Sequence, residues 1–266
     1  MKRFILAAVC LTASGCTLLT NEPTPTELSR HETKPTITNN PEKDWAAALA
    51  KFDFYAAMKA GQRWSQQDPH SAAAKLALVQ ASNGVADLNN NDDEALEQLE
   101  TNIKTLEQLE KQTQNQTPLQ MNQAMLHYLW AEAIGLRVRL QGATGAIHLH
   151  DLAAHAEHAY HFNRDYDEGA PQRLLGLVLV KAPGWPNGPG DSDRGLELLK
   201  DVVARFPTRA ENHLYLADAL LDFSRIQDAQ TAYARGRVLN SNNPRVKKLV
   251  LALEHRLHLN RSVKRY

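Results

Sequence analysis

Cysteine is nearly missing from this 266-residue chain: the two it has, Cys10 and Cys16, both lie in the first sixteen residues. The rest of the chain therefore makes neither a disulfide nor a thiolate metal site. Net charge is missing too, with 30 Lys+Arg against 30 Asp+Glu, and beyond the first fifteen residues acids exceed bases by two. A chain so balanced has no global field for a polyanion, so nucleic acid is excluded as an expected partner. Aromatics are only 6% of residues. No sustained alternation of β-branched residues appears, which argues against a sheet. No Gly-x-Ser-x-Gly elbow is present. Gly142-Ala143-Thr144-Gly145 lacks the lysine and preceding strand of a phosphate loop. These absences leave no cofactor expected and no enzyme signature.

What is present starts with an address. Met1-Lys2-Arg3 is a basic lead, Phe4 to Leu11 is an apolar run of eight, and Ala13-Ser14-Gly15 brings small residues up to Cys16. The run is too short to remain as a membrane span. Small residues followed by cysteine resemble the bacterial lipobox, although Ala13 stands where leucine is usual; a cleaved signal peptide with an incidental cysteine, or cleavage nearer Cys10, is the plainer alternative. The resemblance implies a signal peptide over 1–15 and palmitate-type acylation of Cys16, with two or three chains giving a stable anchor. Thr17 after the cysteine, rather than aspartate, implies by that resemblance the periplasmic face of the outer membrane. Residues 17 to 44 hold Pro23, Pro25, Pro35, Pro41 and seven threonines. They have too little apolar surface to offset ordering, so 16–44 is expected to be a lipidated disordered tether with a span of roughly 30 Å.

From Trp45 to the end, alanine and leucine recur at spacings of three and four, so 45–266 is expected to be an all-α helical repeat domain. Leu96, Leu99, Ile103, Leu106 and Leu109 make one apolar stripe within Asp92 to Gln114, and Ser71 to Leu88 reads as another helix. Thr117-Pro118-Leu119-Gln120 and Thr208 with Glu211 have the spacing of helix-opening capping boxes. Gly195, Leu199 and Val202 return 34 residues later as Ala229, Tyr233 and Gly236, the period of stacked helical hairpins. The unit Ala210 to Pro244, with Leu216-Ala217 and Leu220 in its first helix, resembles a tetratricopeptide repeat. The unit Pro171 to Pro207 matches it with seven extra residues between its helices, and a weaker unit uses Ile134-Gly135, Val138 and Ala159. The expected architecture is a tetratricopeptide-like helical-hairpin solenoid.

The extra residues lie in Lys181-Ala182-Pro183-Gly184-Trp185-Pro186-Asn187-Gly188-Pro189-Gly190-Asp191, after the apolar run Leu174 to Val180. With the Asp165-Tyr166-Asp167-Glu168-Gly169 turn and the Tyr128 to Leu136 segment, this loop resembles the T-component lipoproteins of TRAP transporters, the TatT family, over about residues 118 to 222. The resemblance implies a periplasmic repeat body that associates with a TRAP solute-binding protein and forms homo-oligomers. An envelope assembly or scaffolding lipoprotein is the alternative role. Trp185 either plugs the end of a repeat or is presented to a partner.

Tetratricopeptide solenoids bind along the concave face made by the first helix of each hairpin. That rule nominates Glu132, Arg139, Arg173, Leu177, Lys181, Leu214 and Asp218, together with Trp185 on its loop, as the partner surface. The set mixes both charge signs with leucines and lacks the Lys/Asn pattern that clamps a C-terminal carboxylate. One cluster has the residue types of a metal-dependent hydrolase: His148, His150, Asp151, His155, His158 and His161. Helical geometry puts Asp151, His155 and His158 on one face. The spacing is not His-Glu-x-x-His, so these are read as solvated histidines of a repeat helix, with no metal expected.

Overall fold

In this computed structural model, residues 38–113, 120–239 and 242–263 are described. Helices follow one another throughout: α1 (Pro41–Ala50), α2 (Phe54–Gln67), α3 (Ala72–Leu88), α4 (Asp92–Thr113), α5 (Gln120–Gln141), a 3-10 segment (Gly142–His148), α6 (Leu149–Asn163), α7 (Tyr166–Lys181), α8 (Ser192–Arg205), α9 (Ala210–Asp222), α10 (Ile226–Val238) and α11 (Pro244–Val263). The fold is all-α, built of helical hairpins. No helix among the described residues is long and apolar enough to cross a membrane.

The helical body opens at Pro41 rather than at Trp45. Asn40 caps α1 by accepting from the Lys43 amide, and Pro41 occupies the first turn, where its missing N–H costs nothing. Residues 41–44 therefore belong to a helix and not to the tether, and Trp45 ties that helix down by donating to the Ala77 carbonyl at 2.9 Å. Cys16, the signal segment and the Thr117 capping box lie outside the described residues. The Thr208 capping box does not form: α9 starts after Arg209, which makes no side-chain cap. One residue of offset moved the hydroxyl out of reach.

Adjacent helices pair as α3–α4, α5–α6, α7–α8 and α9–α10, and the first members of these pairs, α3, α5, α7 and α9, also touch in sequence along one face. Two apolar clusters carry the body: one from Leu76 to Leu179 centred on α5, the other from Leu196 to Leu257 centred on α9. Gly195, Leu199, Val202, Ala229, Tyr233 and Gly236 are all buried at equivalent places in α8 and α10, as the 34-residue period requires. The Asp165 turn is a run of left-handed backbone, with φ of 45° at Asp167, 53° at Glu168 and 84° at Gly169. Arg209 holds it by pairing with both carboxylates, at 3.3 and 3.1 Å.

Close packing of α7 on α8 depends on Gly195, where a Cβ would stand 2.7 Å from the Gly176 oxygen and 2.9 Å from the Val180 nitrogen. Backbone atoms cannot step aside. Gly195→Ala is expected to lose about 1–3 kcal/mol to overpacking despite its better helix propensity. At Gly135 a Cβ meets only Leu152 side-chain carbons, at 3.6 and 4.0 Å. Gly135→Ala should therefore be neutral or stabilising by up to about 1 kcal/mol. Urea denaturation of the two variants checks both signs.

Candidate functional site

The expected concave groove is filled by the chain itself. Helix α11 lies against α9 and α10 and reaches α3 on the far side. Its stripe Val246, Val250, Leu253 and Leu257 is buried in the α9-centred cluster with Leu214, which has no exposed surface. Spacings of four, three and four put those side chains on one helix face, and the basic residues Arg245, Lys248 and Arg256 meet acids of the inner wall.

Two ionic networks hold α11 there. At its start, Arg245 bonds Asp87 of α3 at 2.7 Å and Glu132 of α5 at 2.9 Å, and Lys248 donates to the Asp87 backbone oxygen at 2.5 Å. Arg139 of α5 closes on Asp87 from the other side at 2.7 Å. Burial by itself would raise the Asp87 carboxyl, but the attraction of Arg245, Arg139 and Lys248 wins and holds it well below the usual carboxylate range. Further along, Lys181 of α7 pairs with Asp218 at 2.8 Å and with Asp222 at 2.5 Å, while Arg256 pairs with both carboxylates.

This arrangement corrects most of the expected partner surface. Glu132, Arg139, Lys181 and Asp218 are spent on internal ion pairs, and Leu214 is core. Arg173 is buried and donates to Asn212 at 2.6 Å; Asn212 in turn donates to the Phe206 carbonyl at 3.1 Å. Leu177 is half-buried. Of these residues, Glu132 and Asp218 are met directly by α11, through Arg245 and Arg256. The apolar stripe and basic face of 245–257 signalled that this helix has a buried side, but not where it packs.

Trp185 behaves differently. It is 90% exposed, so it is not a plug. Its loop is nevertheless firmly built: Gly190 donates to the Pro183 oxygen at 2.8 Å, Asn187 to Gly184 at 3.0 Å, and Asp191 to Leu179 at 3.0 Å. Asp191 then caps α8 by accepting from the Arg194 amide. A large indole is thus held out in water on a braced turn.

The histidines also depart from expectation. His155 and His158 do share a face of α6, but their neighbour is His127 of α5 instead of Asp151. His127 is 4% exposed, and its Nδ1 lies 3.0 Å from Nδ1 of His155. Trp130 stacks on His155 at 4.0 Å between centroids, and Phe162 stacks on His127 at 5.5 Å. Burial first, and then the neighbouring imidazoles, push both His127 and His155 down to about 4, so both rings are uncharged at neutral pH.

A family model for the tetratricopeptide repeat matches residues 188–253, which run from the Trp185 loop through α8, α9 and α10 into α11. No curated protein matches the chain. A helical-hairpin body with such a repeat is a protein-interaction module.

Removing the charge of Asp87 would take the shared carboxylate from Arg139, Arg245 and Lys248, leaving Arg245 with Glu132 and Lys248 with the Asp87 backbone oxygen. Asp87→Asn is expected to cost about 3–5 kcal/mol, the usual result of breaking a buried pair from one side. A carboxyl held low in the folded state adds stability that is present above its unfolded value near 4 and is lost as pH falls below it. Urea midpoints measured across pH should therefore fall less steeply below about 4 in Asp87→Asn than in the parent protein.

Proposed function

We propose that this protein is a lipid-anchored, periplasm-facing repeat adaptor, a T-component-like accessory of TRAP-type solute uptake that docks a TRAP solute-binding protein through its Trp185 loop. The observation that carries the docking assignment is the 90% exposure of Trp185 on a hydrogen-bonded turn. Burying such an indole in a partner is the kind of contact that dominates interfaces, and the braced turn lowers the entropy lost on binding. The inner groove competes poorly for this role, because a partner entering it has to displace α11 and four buried apolar side chains. Membership of an uptake system is supported by the likeness of the Ala182 to Asp191 loop and of the leader to the T-component lipoproteins. The anchor rests on Cys16 and the small residues before it.

Replacing Trp185 with Ala should leave stability within about 0.5 kcal/mol of the parent, as expected of a surface change. It should weaken association with the solute-binding protein by about 2 kcal/mol or more. Calorimetric titration beside a thermal melt gives both numbers, and a large loss of stability with unchanged association would contradict the assignment. For the anchor, Cys16→Ser should move the protein from the membrane fraction to the soluble fraction and abolish labelling with palmitate. Absence of label in the parent protein would rule the anchor out.

A further inference from the structure

We infer that His127, His155 and His158 form a binding site for one divalent transition-metal ion of the zinc class, clamped between α5 and α6. The three rings each offer one nitrogen, and these atoms all lie within 4.8 Å of one another. A tetrahedral zinc ion with Zn–N bonds of about 2.0–2.1 Å needs its nitrogens about 3.4 Å apart. The two Nδ1 atoms of His127 and His155, at 3.0 Å, are already near that spacing. His158 is exposed and meets His127 edge-on, with 4.9 Å between ring centroids.

Two features favour a metal over simple packing of aromatic rings. The ligand type is right: all-imidazole donors suit zinc and its neighbours, and offer nothing to the hard oxygen-seeking cations calcium and magnesium. The surroundings are also right. Trp130 and Phe162 wall two sides, and Glu110 sits behind His127, with its Oε1 3.9 Å from Nε2. At that distance Glu110 is a nearby negative charge and not a hydrogen-bond acceptor for the ring.

The protons balance without an external base. The 3.0 Å contact between two Nδ1 atoms has one ring carrying its proton on Nδ1 and donating to the other. Binding an ion through both Nδ1 atoms moves that proton to Nε2 of the same ring, and both imidazoles stay neutral. Three protein ligands leave the fourth position on the solvent side, by His158, for water or for a group from a partner.

The test uses the untagged full-length protein in detergent, stripped with chelator and titrated with Co²⁺ alone and then with Zn²⁺. One Co²⁺ per chain should bind with the visible absorption of a four-coordinate nitrogen site, and one Zn²⁺ should displace it. His158→Ala, a change at an exposed side chain that leaves the core alone, should weaken Zn²⁺ binding by at least about 100-fold. His161→Ala, on the same helix but outside the cluster, should leave it unchanged. Failure of Co²⁺ to give that absorption, or equal Zn²⁺ affinity in the His158→Ala and parent proteins, would overturn the site and leave His127 and His155 as a neutral hydrogen-bonded pair.

Discussion

A carboxylate shut away from water is costly unless cations come to it, and the carboxylate of Asp87 draws its cations from both ends of the fold. Arg139 comes from α5, one hairpin on; Arg245 and Lys248 come from α11, about 160 residues away. Once Arg245 is committed to Asp87 and Glu132, the following helix has to run along the inner face of the hairpins. That path lowers Val246, Val250, Leu253 and Leu257 onto α9, each contributing about 1.5–3 kcal/mol as it leaves water. Arg256 then arrives opposite Asp218 and Asp222, beside Lys181. Ion pairs and apolar stripe select the same register, which makes the position of α11 specific as well as stable.

Function follows from what this leaves uncovered. A solenoid whose concave face is filled by its own last helix offers that face only at the expense of the core. Among the described residues, two features left for other molecules lie elsewhere. One is a single aromatic raised on a braced loop between α7 and α8; the other is a set of three imidazoles between α5 and α6. The first suits a protein surface and the second suits a soft cation. Nothing in the geometry requires them to act together.

The hairpin architecture was legible because it is written in local spacing. The 34-residue return of Gly195, Leu199 and Val202 reports helices that touch their sequence neighbours, and the Leu99 to Leu109 stripe reports a single buried face. The insertion holding Trp185 was equally visible, since it breaks that period, but whether the indole pointed in or out depends on packing that no local pattern encodes. Long-range placement was the part that local spacing does not report. The fate of Glu132 and Asp218 depends on α11, and the apolar spacing of 246–257 says only that this helix has a buried side, not which wall it meets. His127 escaped for the same reason: it stands alone in its own stretch, 28 residues before His155, and only the pairing of α5 with α6 brings the rings together. At Thr208 a one-residue offset at a helix start removed a cap that had the right spacing.

Amide hydrogen exchange on the intact chain tests most directly whether α11 is a structural part of the inner face. If the Asp87 pairs and the buried stripe fix it there, the amides of 246–257 open with the same free energy as those of α9, because the two helices share one core and unfold as one unit. Exchange in 246–257 that is orders of magnitude faster than in α9 would show a loosely held arm over an open groove, and would contradict the account.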